Sequence, residues 1–131
     1  MRQFSVKVLD DADREFVEVL RELGIPRNVA SMITYLANVE EATSREIEIG
    51  SNLRQPEVSI AMRTLRNNSW VEEREIKKDG KGRPMKVYRL TISLGEIIKH
   101  FEDEKKKESV KTMESIEKLK ELSRGLSVTP S

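Results

Sequence analysis

The chain has 131 residues, a length that allows one domain with an appendage but not two full domains. Hydrophobic residues make up 37% and charged residues 36%, so the apolar positions must concentrate on a few faces to form a core. The absence of cysteine excludes disulfides and thiolate metal sites. The longest apolar stretch is too short to cross a bilayer, and the N-terminal residues lack the apolar centre of a signal peptide. We therefore expect a soluble cytoplasmic protein.

The net charge is only +1, but it is unevenly distributed. Residues 1–50 hold 6 basic and 10 acidic side chains, residues 51–91 hold 10 and 5, and residues 92–131 hold 8 of each. A localised basic segment matters more for nucleic-acid binding than the total does. The middle of the chain is therefore the part to examine for such a role.

The first nine residues predict a short strand or an extended arm, because Phe4, Val6 and Val8 alternate with polar residues. A helix follows, capped by Asp10 or Asp11. Its predicted buried face consists of Ala12, Phe16, Val19, Leu20 and Leu23. A second helix then begins near Pro26, and its buried stripe is predicted to be Val29, Met32, Ile33 and Leu36.

Residues 43–67 predict two helices joined by a tight turn. Thr43 and Glu46 have the spacing of a capping box, and Ile47 should face inward. Asn52 suits a left-handed C-terminal position, and Pro56 suits the first position of the next helix. The inner stripe of that helix is predicted to be Val58, Ala61, Met62 and Leu65.

A two-stranded hairpin follows this helix pair. Trp70 and Val71 begin one strand, residues 79–82 (Asp-Gly-Lys-Gly) form the turn, and residues 85–90 return. The predicted fold is therefore mainly α with a small β-hairpin, a winged helix-turn-helix spanning residues 10–91. In such a fold the second helix of the pair enters the major groove of duplex DNA.

The outer face of that recognition helix, residues 56–67, carries side chains able to contact base edges. Helical geometry turns the following residues outward or to the flank: Gln55, Glu57, Ser59, Ile60, Arg63 and Thr64. Arg and Gln form paired hydrogen bonds with bases, and Ile60 suits a thymine methyl. Arg54 lies at the helix entrance, where it suits a phosphate. Glu57 either accepts from a cytosine amino group or braces a nearby arginine.

The hairpin tip, or wing (residues 79–84), offers Lys81 and Arg83 to the DNA backbone or the minor groove. Between Lys77 and Arg89 there are six basic residues and one acid. Separately, the hairpin also fits an ordinary solvated turn, and the helix also fits an ordinary core helix. Their combination, in this order and spacing, favours duplex DNA.

The segment EIEIGSNLRQPEVSIAMRTL resembles the helix-turn-helix of the ArsR, MarR and TrmB-like winged-helix regulators. The segment GRPMKVYRL is similar to the return strand of their wing, and the whole resemblance covers residues 29–94. It implies sequence-specific DNA binding and transcriptional regulation, with repression by promoter occlusion as the commoner outcome. The rival interpretation is a winged helix used as a protein–protein assembly module, without specific DNA binding.

Three positions depart from the pattern of these families. Glu48 stands where they usually have a small apolar residue, and Ile49 is the candidate to turn inward instead. Asn52 and Ser69 each replace a usual glycine.

A long helix over residues 92–124 is predicted, followed by a flexible tail at 125–131. In related regulators such a helix forms a dimer, which would place two recognition helices ~34 Å apart. The residues predicted to form the dimer interface are Leu94, Ile97, Ile98, Phe101, Val110, Met113, Ile116 and Leu119. The alternative is a solvated helix, which the charged run at 102–108 favours locally.

No enzymatic constellation is present in the sequence. His100 is the only histidine, and the usual zinc ligand sets cannot be assembled without cysteine. The Gly80–Arg83 turn lacks the spacing of a phosphate-binding loop. We expect no enzyme activity and no cofactor. The expected partners are duplex DNA and a second copy of the chain, with an unidentified effector as an open third partner and no membrane.

Overall fold

The computed structural model describes residues 7–77 and 84–126, which form five helices and three strands. The helices are α1 (Asp11–Glu22), α2 (Arg27–Ala37), α3 (Ser44–Ser51), α4 (Gln55–Asn67) and α5 (Leu94–Ser123), and the strands are β1 (Ala42–Thr43), β2 (Val71–Ile76) and β3 (Met85–Leu90). The chain divides into two compact units, one ending at Ser93 and one beginning at Leu94. Phe4 and Val6 of the predicted arm lie outside the described residues.

Helix α1 begins at a capping box, as predicted. The Asp10 carboxylate accepts from the Asp13 N–H at 2.9 Å, and the Asp13 carboxylate accepts from the Asp10 N–H at 3.0 Å. The predicted buried face of α1 is wrong by roughly a quarter turn. Val17 and Leu20 are buried, whereas Val19 is 50% exposed. Ala12 and Leu23 are exposed as well, because the α1 face that packs on α2 is the one bearing Val17.

Helix α2 lies at the centre of the first unit and packs against α1, α3, α4 and β3. The predicted stripe of four apolar residues is buried, as expected, but the burial extends over eight consecutive residues from Val29 to Leu36. Thr34 fits this interior because its hydroxyl donates to the carbonyl of Ala30 at 2.8 Å. A helix surrounded on all sides loses its amphipathic contrast.

The segment that precedes α1 lies on α3. The N–H of Leu9 donates to the carbonyl of Gly50 at 3.0 Å. The Lys7 ammonium lies 3.6 Å from the Asp13 carboxylate, which also accepts from the Asn38 amide at 3.0 Å. Partial burial raises the pKa of Asp13, but hydrogen bonds from Asp10 and Asn38, together with the Lys7 charge, lower it below its usual value. Asp13 therefore stabilises the fold above its unfolded-state pKa, and this contribution is lost as the pH falls through the folded-state pKa.

The turn between α3 and α4 follows the prediction closely. The Thr43–Glu46 capping box is present in both directions, at 3.1 and 2.9 Å. Asn52 adopts the left-handed conformation with φ 55°, and Leu53 is buried behind it. The α3 helix itself carries two departures, at Glu48 and Ile49.

The expectation that Ile49 turns inward is wrong, since its side chain is 48% exposed. Ile47 and Gly50 occupy the inner face of α3, and a residue two positions after Ile47 points to the opposite side of a helix. Glu48 is accommodated at the edge of this face. Its side chain is 18% exposed and lies 3.7 Å from the Arg45 guanidinium.

The sheet has three antiparallel strands in the order β1-β3-β2, so the predicted two-stranded hairpin is incomplete. The hairpin pairs from Val71↔Leu90 to Ile76↔Met85. The additional strand β1 pairs on the other edge of β3, with Ala42 opposite Tyr88. Two residues are too few to show alternation in the sequence, and the pairing that defines β1 is long-range.

Ser69 has φ 61°, and with Asn52 it makes up the non-glycine residues of positive φ in the described chain. Both stand where the related families usually have glycine. A left-handed conformation costs a side-chain-bearing residue ~1–2 kcal/mol, against ~0.5–1 kcal/mol of extra chain entropy lost by glycine. We therefore expect Ser69→Gly to leave the free energy of unfolding unchanged or slightly raised, and Ser69→Val to lower it by ~1–2 kcal/mol.

Urea denaturation of the two Ser69 variants measures this difference. The neighbouring Asn68 has φ −90°, so Asn68→Gly is the matched control and should not stabilise the protein. A Ser69→Val variant as stable as Ser69→Gly would contradict the expected backbone cost.

Helix α5 contains 30 residues, close to the predicted span. Along it Ile97 is fully buried, while Val110, Met113, Leu119 and Leu122 are each more than half exposed. Across the described residues, no helix combines the length and apolar character needed to cross a membrane.

Candidate nucleic-acid interface

Helix α4 has one buried side and one exposed side. The predicted inner stripe is confirmed: Val58, Ala61, Met62 and Leu65 are all buried. Arg54 precedes the helix and its N–H donates to the Glu57 carboxylate at 2.9 Å, so the helix begins at Gln55 and Pro56 occupies its second position. Because the inner stripe docks on the domain, the opposite side of α4 faces outward.

Most of the predicted contact residues of α4 lie on this outward side. Gln55, Ser59, Ile60 and Arg63 are exposed, with Ile60 55% exposed. The Gln55 side-chain amide donates to the Ser59 hydroxyl at 2.8 Å, so these two side chains lie side by side one turn apart. Thr64 lies at the edge of the exposed side, where its hydroxyl is 3.5 Å from the carbonyl of Ile60.

Arg63 points away from the core more directly than the other side chains of this face. It is separated from the centre of the buried stripe by more than half a turn on either side. Within the described part of the chain its guanidinium has no ion-pair partner. The exposed Asn67 lies one turn further along the same row and extends the face. The prediction omitted Asn67, although its i+4 spacing from Arg63 was available in the sequence.

Glu57 braces an arginine, the second of the two roles considered for it. Its carboxylate lies 3.1 Å from the Arg27 guanidinium and also accepts from the N–H of Arg54. Arg27 donates further to the carbonyl of Asn52 at 3.3 Å, and the Asn28 amide reaches the carbonyl of Glu57 at 3.3 Å. These contacts tie the start of α2 to the turn and to the start of α4.

Arg27 is therefore a residue of this region that sequence reasoning missed. With Arg54 it lines an open depression of about 640 Å³ in front of the first turn of α4. Two arginines near the first turn of a helix create a positive potential there. Arg27 and Glu57 are 30 positions apart, so local spacing could not reveal their pairing.

The sheet carries acidic residues that neutralise part of the basic hairpin. Glu72 on β2 lies directly opposite Arg89 on β3, and the two side chains form a hydrogen-bonded ion pair. Glu73 lies 3.9 Å from the Lys86 ammonium and 3.6 Å from the Arg66 guanidinium. The charge count along the hairpin therefore overstates the positive charge available to a partner.

Arg66 also packs on the sheet, with its guanidinium 5.9 Å from the centroid of the Tyr88 ring. It holds the end of α4 against β3 rather than extending from the exposed face. Lys81 and Arg83, the predicted wing contacts, lie outside the described residues.

The described residues contain no group of three or more His, Asp or Glu side chains able to hold a metal ion. His100 forms an edge-to-face contact with Phe101, with ring centroids 5.7 Å apart. This contact is consistent with the predicted surface or interface position of His100 on the long helix.

Comparison with known proteins rests on structure alone, because no family model and no curated protein matches the chain. A structure described as a "possible transcriptional regulator" from Methanosarcina mazei is similar over 87% of this chain and 98% of its own, with 13% identity and a TM-score of 0.59. A MarR family regulator from Neisseria meningitidis is similar over 86% of this chain and 85% of its own, with 18% identity and a TM-score of 0.46. NadR in complex with 4-hydroxyphenylacetate is similar over 96% and 97%, with 15% identity and a TM-score of 0.49.

The likeness to the Methanosarcina structure, together with the helix-turn-helix and the sheet described above, shows the fold of this chain. The structures found are described as transcriptional regulators and not as enzymes. The chain is a winged helix-turn-helix protein that resembles transcriptional regulators, including members of the MarR family.

Proposed function

We propose that this protein is a sequence-specific, duplex-DNA-binding transcriptional regulator that acts as a homodimer, with repression by promoter occlusion as its mode of action. The outward side of α4 enters the major groove, where Arg63 and Gln55 read base edges and Ile60 contacts a thymine methyl. Arg54 contacts a phosphate beside the start of the helix. The wing, through Lys81 and Arg83, lies on the backbone or in the minor groove.

The observation that carries this proposal is the free outer side of α4. Four apolar residues fasten the helix to the domain, and the side opposite them presents Gln55, Ser59, Ile60 and Arg63 to solvent. The Glu57–Arg27 contacts hold the start of the helix at a defined position. A helix that is fixed from behind and exposed in front has what insertion into a groove requires.

The ion pairs of the sheet support the second candidate, a protein–protein assembly module. Glu72 and Glu73 neutralise Arg89, Lys86 and Arg66, which leaves the strands less basic than the sequence indicates. An assembly module would show no affinity for random duplex. A regulator that holds phosphates through α4 and the wing would bind random duplex weakly, in a salt-dependent manner.

Fluorescence anisotropy with a labelled random duplex, titrated at several salt concentrations, separates these two functions. We expect binding whose logarithm falls linearly with the logarithm of salt concentration. Genomic fragments selected on the immobilised protein should then bind at least ~10³-fold more tightly than random duplex. Absence of binding to both kinds of duplex at low salt would reject the regulator and favour the assembly module.

The wing contributes through backbone phosphates, so its variants should act equally on all sequences. We expect Lys81→Ala and Arg83→Ala each to weaken selected and random duplexes by a similar factor. Each variant should also reduce the steepness of the salt dependence by about 0.9 for each phosphate contact that is lost. The same anisotropy titrations measure both effects. Lys77→Ala, at the exposed end of β2, is a control of equal charge change.

A further inference from the structure

The long helix α5 contains a continuous heptad seam. Starting at Leu94, positions spaced alternately by four and three residues are, in order, Leu94, Ile98, Phe101, Lys105, Glu108, Thr112, Ser115, Leu119 and Leu122. The seam is apolar at both ends and polar in the middle. Such spacing keeps one line of side chains facing a partner helix along a left-handed supercoil.

The two apolar ends of the seam are exposed in the single chain. Ile98 is 47% exposed, Leu119 67% and Leu122 55%. Large apolar side chains exposed in register along one face of a helix mark a surface for association. The arrangement of polar residues between them determines what kind of partner fits.

A second copy of this chain fits the seam when its helix runs in the opposite direction. With the two-fold axis at residue 110, Ile98 faces the partner's Leu122 and Phe101 faces the partner's Leu119. The polar centre then faces itself, because Lys105 meets the partner's Ser115 and Glu108 meets the partner's Thr112. Apolar residues therefore meet apolar residues, and polar residues meet polar residues, in each of these layers.

Other arrangements of the same seam are less favourable. A parallel pair in register would place Lys105 against the partner's Lys105 and Glu108 against the partner's Glu108, so that like charges meet in the interface. An antiparallel pair shifted by one heptad would set Ile98 against the partner's Ser115. Each alternative loses the match that the first arrangement provides.

The residues beside the seam add charge complementarity to the antiparallel arrangement. Positions that flank an antiparallel interface face their own kind on the partner helix, so Glu104 lies beside the partner's Lys118. The two-fold axis repeats this attraction on the other side of Lys111, which faces its own copy at the rim. Two opposite-charge contacts thus flank one like-charge contact.

We propose that α5 pairs with α5 of a second copy as an antiparallel coiled coil centred on residue 110. This inference rests on the proposed function for the dimer and adds its orientation and register. It also changes the predicted interface. Val110 and Met113 fall at positions that face away from the partner, Ile97 is already buried in the single chain, and Leu122 joins the interface.

Cysteine cross-linking tests the orientation without interference, because the natural chain contains no cysteine. The variants are Ile98→Cys and Leu122→Cys, one of them carrying a removable tag so that products differ in size. After the two proteins are mixed, warmed to exchange subunits and oxidised, we expect a covalent dimer that contains one copy of each. Each variant oxidised alone should yield at least ~10-fold less covalent dimer, because Ile98 and Leu122 lie ~36 Å apart along one helix.

The outcomes are decisive in both directions. A mixed covalent dimer with little product from either variant alone supports the proposal. Strong cross-linking of either variant alone, or no product from the mixture, overturns it. Thermal melts establish that both variants are folded, and duplex binding is measured on the same samples. DNA binding without the mixed dimer would reject this inference and leave the proposed function standing, while a mixed dimer without DNA binding would do the reverse.

Discussion

Gly50→Ala is expected to lower the free energy of unfolding by ~2–4 kcal/mol, although alanine is the better helix former. A Cβ atom added at Gly50 would lie 2.1 Å from Cε1 of Tyr35 and 2.2 Å from the carbonyl oxygen of Lys7. Both distances are far inside van der Waals contact. The Tyr35 ring is only 1% exposed and has no free space to enter.

The two opposing effects at Gly50 differ in size. Alanine gains ~1 kcal/mol over glycine in the interior of a helix. Overpacking a buried site costs ~1–3 kcal/mol or more, and here the methyl group meets a ring and a backbone atom at once. Steric cost therefore exceeds the propensity gain, and the segment at Lys7–Leu9 must separate from α3 to relieve it.

Urea denaturation followed by circular dichroism measures the stability change, and amide hydrogen exchange at Leu9 reports on the displaced segment. The exchange of the Leu9 N–H should accelerate, because its acceptor is the carbonyl of Gly50. Gly125→Ala is the matched control, since its added Cβ would meet only the carbonyl of Leu122, at an ordinary 3.6 Å. Equal stability of Gly50→Ala and the natural protein would show that the contact of Lys7 with α3 does not constrain the fold.

The helix-turn-helix could be predicted from the sequence because its determinants are local. Capping of α3 depends on two residues three positions apart, and the left-handed turn depends on one residue, Asn52. The inner stripe of α4 follows from helical spacing within a single element. Each of these features is written within one turn of helix or one loop, so no knowledge of distant residues is needed.

The parts that could not be predicted depend on which surface a distant element selects. Helix α1 carries apolar residues around more than half of its circumference, and only α2 decides that Val17 rather than Val19 is buried. Strand β1 exists because Ala42 and Thr43 pair with β3, more than 40 positions away. Neither choice leaves a periodic signal in the segment itself.

The same limit applies to the charges of the candidate interface. The sequence shows an excess of cations in residues 51–91, but it does not show which of them face acids. The register of β2 and β3 sets Glu72 against Arg89, and the packing of α2 sets Arg27 against Glu57. The structure therefore distinguishes Arg63, which projects from α4, from Arg66, which is held against Glu73 and Tyr88.

The largest functional effect is expected from Arg63→Ala. If Arg63 makes a paired hydrogen bond with a base in each half-site, its loss should cost ~1–3 kcal/mol per contact, or a ~5- to 150-fold loss of affinity for the selected sequence. A dimer loses the contact twice. Random duplex should be affected much less, because its binding depends on phosphates. The ratio of specific to random affinity should therefore fall.

Two matched variants separate base reading from the simple loss of a charge. Arg21→Ala removes the same charge from an exposed position on α1, outside the candidate interface, and should leave the affinity ratio unchanged. Arg63→Lys keeps the charge but lacks the planar fork that pairs with a base edge, so it should retain random binding while losing discrimination. Anisotropy titrations at one salt concentration compare all three variants. A ratio that Arg63→Ala and Arg21→Ala leave equally unchanged would remove Arg63 from base recognition and with it the proposed role of the exposed side of α4.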